Sequence, residues 1–310
     1  MDRDLFYLVS QTATPLYIYI IMGFVAGRLL NVKQESITQM LFYLVNPIVI
    51  FHNISTVRIT HTMIAIPIGY FLISCIVCLI FYFLGKKLWS DDTKNILAFS
   101  AGTGNLGYMM MPIVYVFFGQ EMLVIFFLMI AGMSLYDNTL GFYISASGKY
   151  SARESIAKVL KLPSIYAFIL AIIASTFEVR MPDSIAIFTK NISVMYSILG
   201  MMVIGLSVSN IKKIEIDFKL LGMCILARFI VWPLATYAVV LLDRNILHLY
   251  PEKYHQLWMV VSFIPLGINS LIVATILNNK PEKITTALII TTASALIYIP
   301  LVIKFFVLLP

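Results

Sequence analysis

Windows of about 20 mainly apolar residues, the length that carries a helix across a bilayer, recur ten times in this chain. They lie at roughly 12–30, 37–54, 62–85, 95–118, 121–146, 160–178, 187–208, 219–241, 256–277 and 284–309. In hydrocarbon every backbone polar group must find its partner within the protein, so such windows fold as helices. The chain is 60% hydrophobic and only 12% charged, whereas an ordinary soluble domain carries about 25% charged residues. The expectation is an all-α integral membrane protein with ten transmembrane helices. The sixth window is the weakest, because Lys158, Lys161 and Glu178 crowd it. The opening Met-Asp-Arg-Asp and a first apolar run of full span length argue against a cleaved signal peptide.

A net charge of +7 would suggest a nucleic-acid partner in a soluble protein. In a membrane protein it reads as loop charge, and no nucleic acid is expected. The connections after odd-numbered windows hold 14 of the 22 Lys and Arg residues, the opposite side holds seven, and Arg228 lies inside the eighth window. Basic loops stay in the cytoplasm. The bias therefore places both termini outside a cell membrane, inner or plasma, that the chain crosses many times. The longest polar connection, around 147–160, divides the windows five and five. An odd number per half means that the second half, 148–310, enters the membrane inverted relative to the first, 1–147.

Two windows cannot be straight helices. Ser100–Pro112 carries Gly102, Gly104 and Gly107, each costing about 1 kcal/mol in a helix relative to alanine, and Pro112 removes a backbone donor. Ser262-Phe-Ile-Pro-Leu-Gly-Ile-Asn-Ser270 is the second interruption. They fall in the fourth window of each half, and broken helices in corresponding positions of two halves point to the substrate site of a secondary transporter.

Other functions find little support. An intramembrane enzyme needs a catalytic constellation at membrane depth. Here His52, His61, His248 and His255 fall near outer ends, and one acid, Asp137, lies deep. No metal-ligand spacing, ATP-binding motif or cofactor signature occurs, and a receptor with a soluble signalling domain is not expected. Cys75, Cys78 and Cys224 read as buried apolar thiols. Trp89, Tyr250, Tyr254 and Trp258 read as an interfacial belt against membrane lipid.

The stretches Gly23-Phe-Val-Ala-Gly-Arg-Leu-Leu, Ser36–Phe51, Gly104–Pro112, Gly200-Met-Met-Val-Ile-Gly-Leu-Ser-Val, Arg228-Phe-Ile-Val-Trp-Pro233 and Pro265–Ala274 together resemble the auxin efflux carrier family. The resemblance covers nearly the whole chain, and the long central loop of the plant exporters is missing. It implies two inverted five-helix repeats. Spans 1, 2, 6 and 7 would form a scaffold domain, and spans 3–5 and 8–10 a transport domain whose fourth and ninth helices cross at mid-membrane. It further implies carriage of small organic anions, such as carboxylates or auxin-like acids, by an elevator-type movement. A homodimer formed through the scaffold is implied as well.

Candidate site residues follow from the breaks. Pro112 cannot donate to the carbonyl of Tyr108, nor Pro265 to that of Val261, and those carbonyls become available to a cation, water or a side chain. Half-helix N-termini suit a carboxylate. Asn105 and Asn269 offer both donor and acceptor, to bind a carboxylate or to tie the breaks together. Asn46-Pro47 is a further break that either lines the path, as the resemblance implies, or is a plain kink. Asp137, followed by Asn138, and Arg228 sit at matched depth, roughly 13–15 Å at 1.5 Å per residue. They are expected as a salt-bridged pair that is structural, a proton-coupled switch, or an arginine facing the anion. Sodium or proton coupling stays open. Gly23-x-x-x-Gly27 reads as close helix packing in the scaffold or a dimer interface.

Overall fold

The computed structural model describes residues 2–55, 62–179, 181–210 and 216–308. His61, and Arg58, Arg180, Lys212 and Lys213 from the charge comparison, lie outside the described residues. Every regular element described is helical. In chain order these are α1 (Asp2–Leu29), α2 (Gln34–Ser55), α3 (Thr62–Leu88), α4 (Thr93–Gly102), α5 (Met111–Phe118), α6 (Met122–Ala146), α7 (Ala152–Leu160), α8 (Pro163–Thr176), α9 (Asp183–Asn210), α10 (Phe218–Leu247), α11 (Glu252–Ser262), α12 (Ile268–Ile276) and α13 (Pro281–Ile303).

Among the described residues, five helices (α2, α3, α6, α9 and α10) are long and apolar enough to cross a membrane. The bent pair α7–α8, at 49°, and the bent helix that starts at Pro281 bring the number to seven. The first window holds a shorter apolar stretch, Thr14–Leu29, at the end of α1. The windows 95–118 and 256–277 hold α4 with α5 and α11 with α12, each too short to span alone. The polar connection at 147–160 is not a loop. Most of it folds as α7, because Ser151 accepts the Glu154 N–H while Glu154 accepts the Ser151 N–H at 2.9 Å, a capping box.

Proline shapes several of these helices. Wide turns with i→i+5 bonding occur at Leu41–Val45, Leu106–Met110 and Ala227–Val231, each just ahead of Pro47, Pro112 or Pro233. A proline withdraws one donor and crowds the carbonyl four residues back, and the helix widens to relieve both.

Glycine sets the closest packing. A Cβ on Gly23 would lie 2.0 Å from the Met202 carbonyl oxygen, and one on Gly205 would lie 1.9 Å from that of Ile20. α1 and α9 therefore touch backbone to backbone. The Gly23 stripe is consumed inside one chain and is not free to join two copies. α2 packs on α8 and α9, and α3 packs on α4 and α6. Cys78 and Cys224 are buried as expected, whereas Cys75 is only half-buried.

The broken helices are tied together at their ends. Lys253 at the start of α11 pairs with Glu121 just beyond α5. Lys280, just past α12, pairs with Asp91 and donates to Thr93 Oγ1 at 3.1 Å at the start of α4. The hydrogen bond from Lys280 holds the Asp91 carboxyl well below the usual carboxylate range.

α10 runs further than its window suggests, through a wide turn at Asp243–Leu247. This carries Asp243 into a buried position, where it accepts the N–H groups of Leu249 (3.0 Å) and Tyr250 (3.2 Å) and meets His255 Nε2 at 2.8 Å. Asp137 is thus not the only buried acid, and His255, in the first turn of α11, is buried against Asp243. Trp258 is only 5% exposed and packs on Tyr250, so it belongs to this cluster and not to a lipid-facing belt.

Candidate functional site

α4 stops at Gly102 because Thr103 turns extended and Asn105 follows with φ −80°, ψ 55°. α11 stops at Ser262, and the chain runs without helix to Gly267. The two gaps lie against each other. Gly104 and Leu266 form an isolated antiparallel bridge, in which the Asn105 N–H donates to the Pro265 carbonyl at 3.1 Å. Each gap therefore satisfies backbone of the other, as hydrocarbon requires.

Side chains from α10 complete the crossing. Trp232 Nε1 donates to the Ala101 carbonyl at 2.7 Å, one of the carbonyls left over where α4 ends. Arg228 Nε donates to the Ile264 carbonyl at 3.2 Å, and its guanidinium lies 4.7 Å from the Trp232 ring centroid. The carbonyl of Val261, expected to be free, takes the Ile264 N–H at 3.3 Å instead. At the first break a side chain also reaches backbone, where Ser197 Oγ donates to the Gly107 carbonyl at 3.3 Å.

Asp137 and Arg228 do not form the direct salt bridge that matched depth suggested. The crossing separates their partners. Asp137 Oδ2 accepts from Asn269 Nδ2 at 2.6 Å, whereas Arg228 is spent on Ile264 and Trp232. Both guanidinium Nη atoms are buried without a partner among the described residues, as are both ends of the Asn105 amide and the Ser270 hydroxyl. Buried polar groups left unpaired cost free energy, so a cluster of them calls for an explanation. Asn138 donates to the Ser134 carbonyl at 2.8 Å within its own helix. Asn46 donates to Ser164 Oγ at 3.1 Å and accepts from Tyr196 at 3.2 Å, tying α2 to α8 and α9.

A cavity of about 850 Å³ opens over the crossing. Its lining includes Gly104, Asp137 and Asn269 at the crossing, Asn46 and Tyr196 from α2 and α9, and Gln120 and Lys190. Its size falls within the roughly 300–1,000 Å³ typical of pockets for small organic ligands. Of the expected site residues, Asn46, Asp137 and Asn269 line it. Asn105 and Pro265 are buried beside it, Pro47 and Asn138 do not line it, and Arg228 lies behind its wall. Pro112 heads α5, and its side chain lies outside what is described.

Sequence reasoning missed Gly104 as a wall and Ser193 and Ser197 as lining. The two serines follow Thr189 at steps of four, a polar stripe on one face of an otherwise apolar α9. That spacing was a readable signal.

The sequence model of a family described as membrane transport protein matches residues 8–157 and 151–303. No curated protein matches the chain.

Proposed function

Since the chain belongs to this membrane transport protein family, the auxin efflux carrier family, which is a family of transporters and not of enzymes, we propose that it is a secondary transporter of small organic anions. The fold we propose is ten spans in two inverted repeats, 1–147 and 148–310. α1, α2, α8 and α9 form the scaffold, and the crossed broken helices with α3, α6, α10 and α13 form the moving transport domain. The charge bias of the loops supports an outward location for both termini, in the cell membrane.

One observation carries this reading. Two interrupted helices meet at Gly104 and Leu266 beside a cavity between those two groups of helices. Broken helices that line a cavity are where membrane transporters bind solutes, because only there is irregular backbone tolerated. Asn269 in the cavity lining supplies an amide group for a carboxylate, and the half-helix ends supply N–H donors. The ties Lys253–Glu121 and Lys280–Asp91 support movement of the crossed pair as one body.

The test is uptake into proteoliposomes of a panel of radiolabelled carboxylates, with and without pH and sodium gradients. Protein-dependent carboxylate uptake is the expected result, and no transport of any carboxylate by folded protein overturns the reading. Asp137 in the cavity lining favours coupling to a cation as a second feature, with a proton or sodium ion as the candidate.

A further inference from the structure

The cavity wall at Gly104 is one glycine thick. Gly104 lines the cavity, and a Cβ placed on it would lie 2.5 Å from Arg228 Nη2 and 2.9 Å from Arg228 Cζ. The guanidinium is fully buried, and neither Nη atom has a partner among the described residues. Asp137 lines the same cavity, held by Asn269 and not by Arg228. A buried charge without an opposite charge costs several kcal/mol, so the crossing is arranged around one fixed positive charge and one ionisable acid.

Building on the organic-anion reading, we infer that Arg228 is the fixed positive charge of the substrate site, sensed by a bound carboxylate through the Gly104 wall, and that Asp137 takes up one proton when that carboxylate binds. The charge count is the reason. Arg228 with ionised Asp137 sums to zero. A monocarboxylate brings one further negative charge into the low-dielectric interior, and one proton from cavity water onto the Asp137 carboxylate restores neutrality. No bond other than that O–H forms, and the substrate stays ionised.

Among the described residues the surroundings offer no other acid to share the load. Tyr70 on α3, Tyr298 on α13 and Asp137 are the ionisable groups near Arg228, and of these Asp137 is the carboxylic acid. Asp137 is faced by Asn269 from α12 and Arg228 from α10, with Tyr136 beside it on α6. Lys190 and His52 line the cavity from α9 and α2 and can draw an anion in, but Lys190 is exposed, so water and salt screen its charge and it stays outside the count of the buried crossing. The binding step is therefore electroneutral, with one proton for each monocarboxylate.

The experiment uses the full-length protein in proteoliposomes supplied with radiolabelled pyruvate, a strong enough acid to leak little in neutral form, with protein-free vesicles as the control. A pH gradient is expected to drive accumulation of about tenfold per pH unit, since a tenfold ratio corresponds to the same free energy on either gradient. A potassium–valinomycin potential is expected to drive none. Carboxylate movement that follows the potential and ignores pH overturns the inference while leaving the transporter reading intact, whereas no carboxylate movement at all overturns that reading first. Asp137→Asn is expected to lose the pH response and Asp137→Glu to keep it. The wild-type measurement decides the matter by itself if a variant fails to fold.

Discussion

At Gly104 one hydrogen atom in place of a methyl group decides what the cavity can sense. Glycine here serves close approach, because any Cβ would meet the Arg228 guanidinium at 2.5 Å and Ile264 Cδ1 at 2.6 Å. Gly104→Ala is expected to push the guanidinium away and raise the KM for a carboxylate roughly tenfold or more, equivalent to about 1.4 kcal/mol, with a smaller change in kcat. Equal KM values for the variant and wild type in the uptake assay would refute this. Asn105, Asp137, Arg228 and Asn269 were legible in the sequence because a polar residue in an apolar window must be explained by something. Their partners were not. Matched depth along two helices suggested that Asp137 and Arg228 meet, but depth says nothing of azimuth, and the crossing sends one to Asn269 and the other to Ile264.

At the scale of elements, hydrogen bonds link the two groups of helices. Gln34 at the start of α2 donates to Thr275 on α12 at 3.0 Å, and the hydroxyls of Ser207 on α9 and Thr285 on α13 lie 2.6 Å apart. An elevator movement must break them. Gln34→Cys with Thr275→Cys in a chain freed of Cys75, Cys78 and Cys224 is expected to crosslink on oxidation. Uptake should then stop and return with reductant, and uptake unaffected by crosslinking would count against relative movement here. Within the second group, Asp217 caps α10 by accepting the Leu220 N–H at 3.0 Å and pairs with Lys283 of α13 at 2.8 Å. Partial burial pushes its carboxyl up, but Lys283 and the backbone N–H groups outweigh this and hold it below its ordinary value. Its stabilising effect is then present above the unfolded carboxyl value, about pH 4, and fades as pH falls through the lower folded value. Asp217→Asn is expected to cost about 0.5–1 kcal/mol at neutral pH, read as a lower Tm in detergent, with the difference from wild type shrinking in acid.

For the whole molecule, the cavity lining reaches from the crossing toward the start of α9. It includes Gln120 and Lys190, whereas Ser207, bonded to Thr285, lies near the opposite end of α9, and Gln34, bonded to Thr275, starts α2. Combined with the loop charges, this supports an outward-facing form. Lys190→Cys or Ser193→Cys in the same cysteine-free background is expected to react with a membrane-impermeant thiol reagent added outside intact cells, and saturating substrate is expected to slow the reaction. Labelling only after permeabilisation would reverse the assigned orientation. By itself the sequence determined that this chain is a helical membrane protein, that two of its windows are broken, and that Asn105, Asp137, Arg228 and Asn269 interrupt apolar windows. Those outcomes depend on local hydrophobicity and on local backbone chemistry at glycine and proline. Only the tertiary structure decided that the two breaks pair through Gly104 and Leu266, that the Gly23 stripe packs within one chain, and that Arg228 stands behind a glycine wall apart from Asp137. Groups freed in one helix are satisfied from far along the chain, as the Ala101 carbonyl is by Trp232 and the Pro265 carbonyl by Asn105, and no local pattern specifies which residue answers which.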